Sequence, residues 1–282
     1  MAKLLDGGQV ADDMSAKQRF RVETLKSRGL TPTLAVVRVG ERPEDLAYER
    51  GAVRRCESLG IRVKKLVSPK DSDQSRLMEL IVEANETADG VLLFRPLPER
   101  FDDDAARNAI DPTKDIDGVT DVSMAGVYSA TDKGFAPCTA VACLKMLEFY
   151  GYDVAGENIT IAGRSLTVGK PLTMLLTRKN ATVTMCHTRT RDLPSICRRA
   201  DIVIFAAGRA RMAREQYFSP GQAVIDVGIN VDGDGKICGD VDFDNVRRIV
   251  EAITPAPGGV GSVTASVLAE HVITATERNG II

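Results

Sequence analysis

The chain has 282 residues, 44% apolar and 27% charged, enough to bury a sizeable core and, at about 150 residues per domain, to build two domains. Lys and Arg total 37 against 39 Asp and Glu, a net charge of -2, so no basic excess is present to meet a nucleic-acid backbone. No apolar run reaches the roughly 18 residues of a membrane span, and the opening MAKLLDGGQVADDM lacks the apolar stretch of a signal peptide.

Strand and helix signals alternate from the start of the first half. Leu34-Ala35-Val36-Val37-Arg38-Val39, closed by Gly40, predicts a buried strand, and Glu44 to Leu59 a helix stopped by Gly60. Ile61 to Leu66 reads as a strand. Asp73 to Asn85 reads as a helix, with Ser72 or Asp73 as its cap. Gly90 to Phe94 makes a third strand, broken by Pro96 and Pro98. This order implies a parallel sheet with right-handed crossovers. Asp102, Asp103 and Asp104 precede a short helix over Ala105 to Ile110, where acidic residues cap and favour the positive helix end; a lone run of three is a weak metal signal. Asp111 to Pro137 reads as an irregular segment, of the length that often carries function.

The second half repeats the alternation. Ala140 to Tyr150 predicts a helix, and Asn158 to Ala162 a strand. A turn, Gly163-Arg164-Ser165-Leu166-Thr167-Val168-Gly169-Lys170-Pro171, leads into a helix over Leu172 to Lys179. Ala181 to Cys186, Asp201 to Phe205 and Ala223 to Val227 are further strands, and a last helix over Ser262 to Arg278 follows Gly258-Gly259-Val260-Gly261. Strands ending in such loops are the pattern of a dinucleotide-binding sheet. The six cysteines form no C-x-x-C pair and the only histidines are His187 and His271. Neither a metal site nor a disulfide framework is expected, and reduced cysteines suit a cytoplasmic protein.

The turn after Ala162 fits neither familiar phosphate motif. Gly163 and Gly169 are separated by five residues where a Walker A loop needs four, Pro171 stands where that loop needs Ser or Thr, and no G-x-G-x-x-G is present. A strand, a glycine turn and a helix start still offer free backbone N–H groups to a phosphate. The next strand ends in Cys186-His187-Thr188-Arg189-Thr190-Arg191, with no carboxylate until Asp192. An NAD site places an acid there for the ribose 2'-hydroxyl; hydroxyls and guanidinium groups, with Arg164, suit the 2'-phosphate of NADP.

In their joint order these motifs resemble the methylenetetrahydrofolate dehydrogenase/cyclohydrolase family, the FolD proteins, over nearly the whole length. The marks are Val39-Gly40 with Tyr48 on the following helix, Pro96-Leu97-Pro98, Lys114-Asp115-Ile116-Asp117-Gly118 and Pro137-Cys138-Thr139. Gly163-Arg164-Ser165, Thr182 to His187, Asp226-Val227-Gly228-Ile229-Asn230, Gly239-Asp240-Val241 and Thr254 to Gly261 complete them. The resemblance implies a two-domain α/β fold with a cleft between the domains. A three-layer α/β folate-binding catalytic domain over residues 1–138 would be completed by the C-terminal helix, 262–282; a Rossmann-like NADP-binding domain would span 139–261. It also implies a homodimer acting on tetrahydrofolate one-carbon derivatives. The reaction is NADP-dependent oxidation of 5,10-methylenetetrahydrofolate to 5,10-methenyltetrahydrofolate, followed in bifunctional members by hydrolysis to 10-formyltetrahydrofolate. By the same resemblance Tyr48 lies beside the pterin and the one-carbon unit, Asp117 hydrogen-bonds the pterin, and Pro257, Gly258 and Gly259 form a loop near the folate. Gly163, Arg164, Ser165, Thr188 and Ile229 match the NADP contacts.

Three positions depart together. The family lysine four residues after the tyrosine is Ala52, the glutamine that supports it is Phe94, and a serine three residues before the tyrosine is Asp45. Hydride transfer leaves a delocalised cation and needs positioning rather than a proton acceptor. Opening the methenyl ring needs activated water and a delivered proton, and Ala52 cannot join such a relay. Arg55, Arg95 and Asp45 are the candidates to replace the lysine, Arg55 being a poor shuttle because it stays protonated. The expectation is a dehydrogenase with weak or lost cyclohydrolase activity; a non-catalytic folate- or nucleotide-binding protein is the rival reading.

Overall fold

The computed structural model describes residues 1–280; the last two positions of the helix expected over 262–282 lie outside them. A short strand β1 (Lys3–Leu4) leads into helix α1 (Gly7–Ser27), then β2 (Thr33–Val39), α2 (Pro43–Ser58), β3 (Arg62–Ser68), α3 (Gln74–Thr87) and β4 (Gly90–Leu93). Two short helices, α4 (Asp103–Asn108) and α5 (Asp121–Ser129), precede α6 (Cys138–Phe149). There follow β5 (Asn158–Ala162), α7 (Gly169–Arg178), β6 (Thr182–Cys186), α8 (Leu193–Arg198), β7 (Ile202–Phe205) and β8 (Ala223–Asp226). The chain closes with β9 (Asn230–Val231), β10 (Ile237–Cys238), α9 (Phe243–Val246), β11 (Ala252–Ile253) and α10 (Val260–Asn279).

The chain divides into two compact units, Met1–Asp12 with Thr139–Thr264, and Asp13–Cys138 with the segment from Ala265. The chain crosses between units three times, within α1, at the start of α6 and within α10. The sequence places residues 1–12 with residues 13–138. They join the other unit instead, because β1 pairs in parallel with β11, Lys3 opposite Ala252 and Leu4 opposite Ile253, and so extends that unit's sheet.

The unit built on Asp13–Cys138 holds a three-stranded parallel sheet, ordered β3-β2-β4. Every residue of the central β2 is buried, which explains its unbroken apolar run: a strand covered on both faces shows no alternation. On α3, Leu77, Leu80, Ile81 and Ala84 recur at helical spacing and pack on Val37, Val91 and Leu93. Asp73 caps that helix, its carboxylate accepting the Arg76 N–H at 2.9 Å. Arg38, the one charge in β2, is buried and donates from Nε to Glu49 Oε2 of α2 at 2.7 Å, while Lys65 Nζ lies 2.7 Å from Glu49 Oε1. Burial would push the Glu49 carboxyl up, but Lys65 and Arg38 outweigh it and hold it below the usual range.

The other unit carries a six-stranded parallel sheet, ordered β1-β11-β8-β7-β5-β6. Chain order reverses at β5, which has β6 on one side and β7 on the other. In open parallel sheets that reversal leaves a crevice at the carboxyl ends of the strands, where ligands bind. Phe205, Val203, Val224 and Ile253 anchor the core on one face.

Four helices, α1, α5, α8 and α9, were not expected from sequence, and two of them show why. The buried stripe of α1, Val10, Met14, Val22 and Leu25, is interrupted by the buried polar Ser15 and Gln18, so its period is faint. In the segment expected to be irregular, α5 starts at Thr120, whose hydroxyl accepts the Ser123 N–H at 3.1 Å. Its sequence DVSMAGVYS has no apolar face to read.

Candidate active site

The first cluster grows from α2. Pro43 opens the helix, and Glu44 and Asp45 in its first turn complement the positive helix end. Tyr48 follows one turn on, and Ala52 another turn later on the same face. Ala52 is 1% exposed and Tyr48 38%. The Tyr48 ring meets the 7%-exposed Phe94 edge-on, centroids 5.8 Å apart. Burial holds the Tyr48 phenol well above its usual range, with the Asp117 carboxylate the next contributor, so the hydroxyl keeps its proton at neutral pH.

Each residue proposed to stand in for the missing lysine is engaged elsewhere. Asp45 accepts from Arg42 in a two-pronged pair, 2.7 and 2.8 Å. Arg95 grips Asp103 in the same manner, one arm at 2.8 Å. Arg55 donates to the Ser266 hydroxyl at 2.7 Å. The acidic run before α4 is likewise spent within the protein: Asp102 caps α4 by accepting the Ala105 N–H, Asp103 pairs with Arg95, and Asp104 with Arg107.

Asp117 sits in the turn between α4 and α5, flanked by two organising devices. Asp115 is fully buried and collects the N–H groups of Val119 and Thr120 and the Ser123 hydroxyl, at 3.0, 2.8 and 2.6 Å. Gly118 has φ +66°, and a Cβ there would strike the backbone of Phe135 and Pro137, so the residue after Asp117 must be glycine. Burial pushes the Asp117 carboxyl up to about 6, raised further by Asp115, while the Cys138 thiol and amide and the Arg95 charge oppose the rise. At neutral pH Asp117 is an ionised carboxylate that gains from any N–H donor brought to it.

The second cluster surrounds the switch point. Gly163 has φ +149°, and a Cβ there would collide with the Ala206 carbonyl. The chain thus needs glycine where it turns out of β5. The Ser165 hydroxyl accepts the Val168 N–H at 3.0 Å and shapes the entry to α7. Gly163, Arg164, Ser165 and Thr188 line one cavity of about 570 Å³. Ile229 does not. It is 71% exposed after β8 and lies against Gly261. Thr188 and Thr190 face this cavity, whereas Arg189 and Arg191 are not among its lining residues; its second guanidinium comes from Arg209. Asp192 lines it too, but caps α8 by accepting the Ser195 N–H. Pro194, Met212 and Tyr217 give the cavity an apolar side.

Two carboxylates that the sequence shows only as motif members fix this wall. Asp240 is buried and accepts the N–H groups of Ala207, Gly208 and Arg209, at 2.6, 3.0 and 2.8 Å, and the Asn230 amide at 2.9 Å. Asp226 accepts from Gly228, Asp240 and Val241, and burial pushes it up to about 6. Pro257, Gly258 and Gly259 fall in this unit, where the Gly258 carbonyl accepts the Gly7 N–H at 2.8 Å. Among the described residues no group of metal-ligating side chains is assembled, all six cysteines are free and buried, and no helix is long and apolar enough to cross a membrane. A glycine-crowded turn at a sheet's switch point, with an arginine-lined cavity of this size, fits a dinucleotide.

Fold and site together define an α/β protein with a Rossmann-like nucleotide unit and a second α/β unit carrying a carboxylate and a tyrosine. Residues 5–117 match the tetrahydrofolate dehydrogenase/cyclohydrolase catalytic domain, and residues 137–280 the NAD(P)-binding domain of the same enzymes. The chain belongs to the tetrahydrofolate dehydrogenase/cyclohydrolase family. It is 47% identical to the bifunctional protein FolD of Carboxydothermus hydrogenoformans, with 100% of both chains covered. The solved bifunctional FolD enzyme of Campylobacter jejuni is 34% identical with a TM-score of 0.96, covering 99% of this chain and 100% of that one. The Trypanosoma brucei dehydrogenase-cyclohydrolase, solved with NADP cofactor and inhibitor, is 32% identical with a TM-score of 0.94, covering 100% of this chain and 99% of that one.

Proposed function

We propose that the protein oxidises 5,10-methylenetetrahydrofolate to 5,10-methenyltetrahydrofolate with NADP, and that its cyclohydrolase step is weak or lost. The observation that carries the second half is the surround of Tyr48: a buried methyl at Ala52 and the ring of Phe94, with Arg55, Arg95 and Asp45 all committed to other partners. NADP, when bound, supplies the hydride acceptor. Arg164 and Arg209 would meet its phosphates, and Ser165 and Thr188 would offer hydroxyls beside the Gly163 turn. Ile229 is a further NADP-side candidate. Asp117 would hold the pterin through its N–H groups, and Pro257, Gly258 and Gly259 are proposed folate-side residues.

Oxidation asks the chain to hold reactants, since the cation left behind is delocalised and no side chain takes a proton. Hydrolysis asks for more, a base for water and an acid for nitrogen. Tyr48 keeps its proton, and position 52, one turn on, offers it a buried methyl in place of an amine. General acid–base help is worth about 10²–10⁴-fold, so its absence is large enough to see. A paired assay on one preparation tests both halves. NADPH should form from methylenetetrahydrofolate and the methenyl product should accumulate. Rapid enzyme-dependent decay of added methenyltetrahydrofolate would overturn the second half. No turnover with either cofactor would leave the folate- or nucleotide-binding reading. A homodimer and a cytoplasmic location are carried over from the family resemblance, and sedimentation of the purified chain tests the first.

A further inference from the structure

We infer that His271, on the C-terminal helix α10, is a positioning residue for Asp117 and acts through the carbonyl of Ile116. The inference rests on the reading of Asp117 as the pterin-binding carboxylate. His271 and Asp117 belong to the same compact unit although 154 positions separate them. His271 Nδ1 lies 2.8 Å from the Ile116 oxygen. A carbonyl only accepts, so the proton sits on Nδ1 and the imidazole is the donor. The Cys138 thiol is a second donor to the same oxygen at 3.2 Å, and its sulfur is 3.6 Å from His271 Nδ1.

The peptide preceding Asp117 is therefore held by two side chains from distant parts of the chain. Gly118 on the other side is pressed against the backbone of Phe135 to Pro137. With both flanks held, the backbone that carries the Asp117 carboxylate keeps a fixed place. The imidazole is itself held, since Phe135 packs on it with ring centroids 4.9 Å apart and Arg278 lies 4.7 Å over the Phe135 ring. The charged or titratable groups facing His271 are Glu270, Arg278, Asp115 and Cys138; those facing Asp117 are Asp115, Arg95, Tyr48 and Cys138. Burial lowers the imidazole's affinity for a second proton, in keeping with a neutral ring that donates from Nδ1. Removing it would leave the Ile116 carbonyl one donor short and loosen one flank of the Asp117 turn.

The test uses the full-length enzyme and the variants His271→Ala, His271→Asn and Asp117→Asn. Michaelis constants are read for methylenetetrahydrofolate at saturating NADP and for NADP at saturating folate, alongside thermal unfolding. His271→Ala should raise the folate KM about tenfold, the size of one lost hydrogen bond, and leave the NADP KM unchanged. His271→Asn, whose amide can donate to the same carbonyl, should recover most of that loss, and Asp117→Asn should raise the folate KM at least as far. An unchanged folate KM in His271→Ala with a raised one in Asp117→Asn overturns the inference alone. An unchanged folate KM in Asp117→Asn overturns the assignment of Asp117 itself. Equal losses toward both substrates, with no rescue by asparagine, mark a merely structural histidine and also overturn it. Should the alanine variant not fold, His271→Leu fills the space without a donor and carries the same comparison.

Discussion

The Phe94 ring stands edge-on to the Tyr48 ring, with centroids 5.8 Å apart and planes at 69°. That contact stabilises the tyrosine by dispersion and by the quadrupole of the rings, and it fills with hydrocarbon a position beside the phenol where an amide would be able to hold an amine. Ala52→Lys alone should therefore restore little cyclohydrolase activity. Ala52→Lys with Phe94→Gln should raise it by about tenfold or more, a fraction of the 10²–10⁴ typical of acid–base help. The loss of methenyltetrahydrofolate absorbance under excess enzyme measures both. Full recovery by the single change would show Phe94 to be irrelevant.

Arg164 and Arg209 line the nucleotide cavity, while Arg189 and Arg191 do not. A hydrogen bond to a charged group contributes about 1.5–3 kcal/mol. Arg209→Gln should accordingly raise the KM for NADP about tenfold or more, and the KM for NAD much less if the side chain meets the 2'-phosphate. Steady-state assays with the two cofactors decide it. Equal losses would assign the arginine to phosphates that both cofactors share.

Much of this was legible in the sequence, and the gaps have physical reasons. Buried parallel strands such as β2 announce themselves as apolar runs, and Asp73 and the DDD run announce helix starts. The helices α1 and α5 do not, because polar buried residues break one stripe and the other has none. Thr188 stood out beside its strand end, but which of Thr188, Arg189, Thr190 and Arg191 face the cavity depends on the turn that His187 closes, its N–H donating to the Thr190 hydroxyl at 2.8 Å and its Nδ1 accepting the Arg189 N–H at 3.1 Å. Arg209 and His271 gave no local signal, and Asp240 only its place in the Gly239-Asp240-Val241 motif. Their roles arise from long-range contacts, which spacing along the chain does not encode.

Glu49 links two cations, Arg38 and Lys65, at the side of α2 next to Tyr48. With Glu49 only 3% exposed, Glu49→Ala would leave the buried Arg38 guanidinium without its close carboxylate, holding only the Gly40 carbonyl and Glu41 at 4.0 Å. Breaking a buried pair costs about 3–5 kcal/mol, and urea unfolding at neutral pH should show a loss of that order. The carboxyl is held below its ordinary value. Its contribution is thus present above the unfolded carboxyl range and is lost as pH falls through the folded value. The gap between wild type and variant should narrow in acid.

Asp117 shifts the opposite way, to about 6. Between the unfolded value and about 6 the folded protein holds the extra proton, so this residue's contribution to stability declines as pH rises through that window and is level above it. With Asp117 holding the pterin as proposed, ligand binding would have the reverse dependence, because only the carboxylate accepts two N–H bonds. Tetrahydrofolate affinity, measured by calorimetry, should be level above about 6 and fall below it. Asp117→Asn should bind more weakly and lose most of this slope.

The three points at which the chain passes from one unit to the other, in α1, at the start of α6 and in α10, impose an order on synthesis. The unit that holds Tyr48 and Asp117 is encoded mostly before residue 139, yet it includes the chain from Ala265. A ribosome releases that closing piece last, after the whole nucleotide sheet has emerged. Until then the nascent Asp117 turn lacks the imidazole that donates to the Ile116 carbonyl, and a chain stopped at Cys138 would carry Tyr48 and Asp117 without that donor.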